Sequence, residues 1–130
     1  VQDSILEPEK LRRYADAITK ASLSVKKGDV LLVQGAPAHR ELVVAVAEAG
    51  YRAGAHVVDV AYYDPLAERA RLEYGSKEAL GVVTPWAVRR MRELVKPHGA
   101  RATIIGTSDP DHLHGIPSKR IAADAAGVAR

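Results

Sequence analysis

The stretch Thr107–Gly115, TSDPDHLHG, gathers Asp109, Asp111, His112 and His114 into six consecutive positions. Carboxylates and imidazoles are the side chains that ligate divalent metals and move protons near neutral pH. Two uses compete for them here. As ligands they would have to converge. His112 and His114 lie two apart, so they share a face on a strand but point to different sides of a helix. The flanking Pro110 and Gly115 favour a loop or a single helical turn. The paired histidines of an HExxH helix are absent from the chain. The structural use is simpler: Asp109 caps a short helix, Pro110 takes its first position and Gly115 ends it.

Whatever the cluster does, a sheet must position it. Val30–Gly35 (VLLVQG) is a continuous apolar run bounded by turn residues, the pattern of a strand covered on both faces. His56–Tyr63 (HVVDVAYY) is the next strand, and Ala102–Ser108 (ATIIGTS) the third. Between the first two lies a helix over about Arg40–Ala53. It carries Leu42, Val43, Val46, Ala47 and Gly50 on one side and ends at Gly54. That is a βαβ unit, with a right-handed crossover expected. Pro8 opens an earlier helix whose buried face is Leu11, Tyr14, Ala15, Ile18, Ser22 and Val25. Two helical pieces, Pro65–Tyr74 and Pro85–Val95, separate the second and third strands, with Thr84 as N-cap of the latter. Ser118–Ala129 reads as a last helix, poor in large apolar side chains, with Gly127 its one stop signal. The predicted class is α/β, a three-layer α/β/α arrangement. Its mostly parallel sheet has strands centred near Leu32, Val58 and Ile104.

In open parallel sheets, ligands bind outside the carboxyl ends of the strands. Gln34–Arg40, Tyr62–Asp64 and the TSDPDHLHG stretch meet at that edge. The candidate ligand rim is therefore His39, Arg40, Asp64, Asp109, Asp111 and His112, with His114 beside them. The turn QGAPAHRE after the first strand matches neither GxGxxG nor GxxxxGK[ST], so no nucleotide cofactor is expected. Ser108 is not set in a GxSxG elbow. Asp59, inside an apolar strand, is either a perturbed acid or an ordinary polar position, and the second is expected. Trp86, at a helix start, is expected to pack or to serve an interface. No catalytic, cofactor-binding or metal-ligating residue is assigned.

The 130 residues suit one domain, and a 47% hydrophobic content is enough for a packed core. With no cysteine, disulfides and thiolate chemistry are excluded. The net charge of +3 comes from Lys and Arg interleaved with acidic residues, as in EPEKLRR and AERARLE. Such mixing marks solvated helix faces, so no nucleic-acid partner is expected. No apolar run reaches the ~18 residues a membrane span needs, and no membrane partner is expected. The N-terminal VQDSILEPEK lacks the layout of a signal peptide, so the expected location is cytoplasmic.

Three segments, taken in order, carry a resemblance. They are LRRYADAITKASLSVKKGDVLLV (Leu11–Val33), GYRAGAHVVDVAYYD (Gly50–Asp64) and IIGTSDPDHLHGIPSKRIA (Ile104–Ala122). Together they resemble the N-terminal domain of the M29 family of metal-dependent aminopeptidases, with Gly50 standing where the family usually has Ala. The resemblance implies that residues 1–130 form a single N-terminal α/β domain of a longer enzyme. That enzyme would release N-terminal amino acids from peptides. Its two divalent ions (zinc, cobalt or manganese) would be held by the C-terminal catalytic domain, which this chain lacks. The implied partners are that domain, peptide substrates and a second subunit in a homodimer. The domain would shape access to the active site and support assembly, and would be inactive alone. In the family the DPD and Gly of the third segment recur, while its histidines do not. This weighs toward a capping loop beside a cleft and against a metal centre. The alternative from another class is a self-contained α/β module binding a small molecule at the rim, and a small metallohydrolase at the same rim comes third.

Overall fold

The computed structural model describes residues 7–106 and 109–128. Helix α1 spans Pro8–Asp16 and continues as a π-helical segment over Ala17–Ser22. Strand β1 is Val30–Gly35, helix α2 Arg40–Arg52, strand β2 Val57–Tyr62 and helix α3 Pro65–Tyr74. Helix α4 is Pro85–Leu94, strand β3 Gly99–Thr103 and helix α5 Ser118–Val128. The sheet order is β2-β1-β3, and both pairings are parallel. Helices cover both faces, as expected of an α/β layer fold.

The core sits between β1 and α2. Leu31 and Val33 point to the α2 side and meet Val43, Val46 and Ala49, all fully buried. The buried arc of α2 is wider than the sequence pattern suggested. Ala45 and Ala49 are buried as well, because α1 packs beside α2 and presents Ala15 to the same cluster. Gly50 allows the closest approach to the sheet: a Cβ there would lie 2.8 Å from the Leu31 side chain and 3.1 Å from Val58. On α1 the buried face is Ala15 and Thr19, flanked by Leu11 and Ile18. Tyr14 and Ser22, assigned to that face from spacing, are exposed. Ser22 lies in the π segment, where Leu23 N donates to Ile18 O. Its wider turn rotates later residues away from a 3.6-residue face.

The third strand corrects the sequence reading. Pairing runs from Val30↔Gly99 to Gln34↔Thr103, so β3 begins three residues before the expected Ala102 and ends before Ile104. Ile104 N still donates to Gln34 O at 2.8 Å, but Ile105 is 86% exposed. The reason is the partner strand. β1 leaves the sheet after Gly35, so the apolar Ile104-Ile105 pair has no strand to continue against. Gly106, at φ +144, then turns the chain away. Thr107 and Ser108 lie outside the described residues. Nor is β2 covered on both faces. It is an edge strand, exposed along most of its length, with Val57 at 43%.

Helix α5 is held mainly by polar ties. Asp124 accepts from the Arg71 guanidinium of α3 and from Gly81 N, while Arg120 donates to the carbonyls of Leu72 and Gly75. The helix also crosses the Gly81 turn at backbone distance. A Cβ on Gly127 would collide with Gly81 O. Gly127 therefore has a packing role that a helix-propensity argument misses.

Two outcomes follow from this packing. In urea unfolding, Leu31→Ala should cost about 2–5 kcal/mol, while Val57→Ala should cost under about 1 kcal/mol; equal losses would contradict the one-sided core. Gly127→Ala gains about 1 kcal/mol of helix propensity in isolation. It should nonetheless speed amide exchange across α5, because the clash is with backbone. Slower exchange would show that the Gly81 contact is dispensable.

Candidate functional site

Connections from β1 lead to one side and the later return to β3 lies on the other, so the carboxyl ends of β1 and β3 form a switch-point crevice. His39 sits there. Its Nδ1 accepts from Ala36 N at 3.1 Å, closing the turn that links β1 to α2. A Cβ on Gly106 would meet the His39 ring at 3.4 Å, so the bend after β3 passes against this imidazole. Arg40, the next residue, lies elsewhere. It borders a shallow groove with Leu11, Glu41, Val44, Ala45 and Glu48 on the α1–α2 surface. Asp64 is an N-cap: its Oδ1 accepts from Leu66 N at 2.9 Å at the start of α3.

The remaining rim residues come together next to this crevice. An open cleft of about 700 Å³ is lined by Leu66 and Arg69 of α3 and by Asp109, Pro110, Asp111, His112 and His114. Residues 110–115 form consecutive tight turns, with His112 N donating to Asp109 O and His114 N to Asp111 O. Gly115, at φ +80, ends them, as a glycine readily does. The expected short helix is thus replaced by a turn ladder with the same termination.

Helix α3 holds that ladder in place. Arg69 donates to His112 O at 2.8 Å and His114 O at 2.7 Å, and its Nε lies 3.4 Å from Glu73. The His112 ring bridges the two elements: Nε2 is 2.9 Å from Glu68 Oε2, and Nδ1 is 2.9 Å from Asp109 O. A carbonyl and a carboxylate are both acceptors, so the ring satisfies both contacts best with a proton on each nitrogen. The hydrogen bond to Glu68 accordingly raises the His112 pKa above its ordinary value. Partial burial opposes this, and the Asp109 carbonyl adds to it.

So the sequence cluster is assembled into one cleft wall, while His39, Arg40 and Asp64 serve three separate places. Sequence reasoning missed Glu68 and Arg69. They lie in AERARLE, which has the composition of a solvated helix face, and nothing local signals that they point at a loop more than 40 residues later. Asp59 is exposed and lies 3.4 Å from Arg90 of α4, an ordinary ion pair. Trp86 is 71% exposed.

Among the described residues, no three His, Asp or Glu side chains are grouped so as to hold a metal ion. The donor set of the cleft does not fit one either. His112 turns both nitrogens to protein acceptors, and neither lone pair is offered to the cleft. No described helix is long and apolar enough to cross a membrane.

A three-stranded parallel sheet between helices, with a polar cleft beside it, defines a small α/β domain. The family model described as "Thermophilic metalloprotease (M29)" matches residues 7–129, and the chain belongs to that family. It is 33% identical over 123 residues to aminopeptidase AmpS of Bacillus subtilis, covering 93% of this chain and 30% of that protein. It is 28% identical to aminopeptidase T of Thermus thermophilus, covering 85% of this chain and 27% of the relative. The solved structure of wild-type AmpT from Thermus thermophilus superposes with a TM-score of 0.81 at 26% identity. That match covers 92% of this chain and 30% of AmpT. The chain thus spans about 30% of the length of these relatives.

The Glu68–His112 bridge makes a titration prediction. A histidine whose folded pKa is raised adds stability below its unfolded value, near 6.5, and loses it as pH rises through the folded value. In an NMR titration, His112 should titrate above 6.5, and Glu68→Gln should move it down. A midpoint at or below 6.5 in the unmutated chain would sink the assignment of the bridge.

Proposed function

We propose that this chain is the N-terminal accessory domain of a metal-dependent aminopeptidase. One observation carries the reading. The family match runs through residues 7–129, yet the chain spans only about 30% of the aminopeptidases it resembles. In the whole enzyme a C-terminal catalytic domain would hold two divalent ions (zinc, cobalt or manganese) and cleave the N-terminal residue from peptides in the cytoplasm. This domain would border access to that centre and support a homodimer. The unsuitable donor geometry of the cleft fits this division of labour. The cleft is also a weak pocket for a self-contained binding module, because Arg69 and His112 are committed to protein partners.

The test uses leucyl chromogenic substrates. The 130-residue chain should release no product, with or without added zinc, cobalt or manganese. The longer product of the same gene should be active and should lose activity to a chelator. Metal-stimulated activity in the 130-residue chain that responds to His112→Ala or Asp109→Ala would overturn the proposal.

A further inference from the structure

Helix α4 has no fully buried residue, although its sequence is strongly amphipathic. Ala87, Met91 and Leu94 are partly covered on the sheet side, where Arg90 reaches Asp59 and Arg101 donates to the Met91 sulfur. A second apolar stripe is largely exposed among the described residues. Val88, Met91 and Val95 recur at three- and four-residue spacing and, with Val83, Ala87, Arg92 and Gly127, line a groove of about 470 Å³. Val95 is 83% exposed, and Trp86 and Val82 extend the exposed apolar surface at the start of the helix. A contiguous apolar surface of this kind on a folded domain marks an interface.

We infer that this α4 groove is the docking surface for the polypeptide that follows α5 in a protein of the relatives' length. The groove would receive an apolar ridge flanked by carboxylates. This rests on the functional reading above. Two features of the groove select that occupant. Gly127, close to the end of α5, forms part of the groove wall, so chain continuing from α5 starts at the groove with a high effective concentration there. The lining carries a cation: Arg92 is exposed and makes no ion pair with a described carboxylate, whereas Arg90 is already paired. The matched relatives have more than enough further chain to fill such a groove, since this chain covers about 30% of them.

The experiment compares amide hydrogen exchange in the full-length gene product and in the 130-residue chain. Amides of Val88–Val95 should exchange roughly tenfold or more slowly in the full-length protein, while α2 amides serve as an unchanged reference. The double variant Val88→Asp with Val95→Asp should abolish that added protection and leave the unfolding midpoint of the 130-residue chain nearly unchanged. Equal exchange of α4 in the two proteins overturns the inference, even if the full-length protein is an active aminopeptidase. So does protection that appears in the 130-residue chain alone with rising concentration and a doubled mass, which would assign the groove to a second copy. Protection of α4 in a full-length protein without aminopeptidase activity supports the docking surface and removes the functional reading.

Discussion

Everything in this molecule is placed by the burial of β1. The strand is paired on both edges and shielded by α1 and α2 on one face, with Leu31 and Val33 fully buried. Each such side chain contributes about 1.5–3 kcal/mol of transfer free energy. A parallel strand in this position also fixes the register of its neighbours, since a slip would exchange buried and exposed faces. β2 and β3 inherit their limits from β1. The sheet ends at Gly35 because β1 does, and the carboxyl-end crevice opens at that point.

The polar cleft is a consequence of that frame. α3 begins just beyond β2, capped by Asp64, and the turn ladder follows the bend after β3. The two meet across the carboxyl edge through Arg69 and the Glu68–His112 bridge. These charge-assisted contacts order a loop that has little apolar surface to bury. They also occupy both ring nitrogens of His112. His112, one of the residues that suggest catalysis in the sequence, acts in the fold as a fastening.

Two surfaces differ in how they are covered. α5 lies on α3 and the Gly81 turn through side-chain-to-backbone bonds and a glycine contact, with little apolar area. α4 is the reverse, with ample apolar area left exposed among the described residues. The chain belongs to the M29 family and spans about 30% of the length of its relatives.

The fold class, the parallel sheet, β1 to the residue and the extents of α2 through α4 to within a residue or two were determined by the sequence itself. Continuous apolar runs, Pro at first helical positions and Gly at turns act over a few residues, and they are legible because their causes are local. The family was legible too, from three segments in order. What only the tertiary structure decided has non-local causes. β3 starts at Gly99 because Val30 is its partner, though Arg101 and two small residues hide a strand there. The helix continues beyond α1 as a π segment, a wider turn that no spacing rule anticipates. Asp109, Asp111, His112 and His114 line one cleft, while Arg40 borders the α1–α2 groove and Asp64 caps a helix. The partners that settle the role of His112 are more than 40 residues away in α3, on a helix whose charges look no different from any solvated face. Side-chain chemistry can be read from a sequence, but its use depends on which acceptor stands 2.9 Å away, and that distance is set by packing.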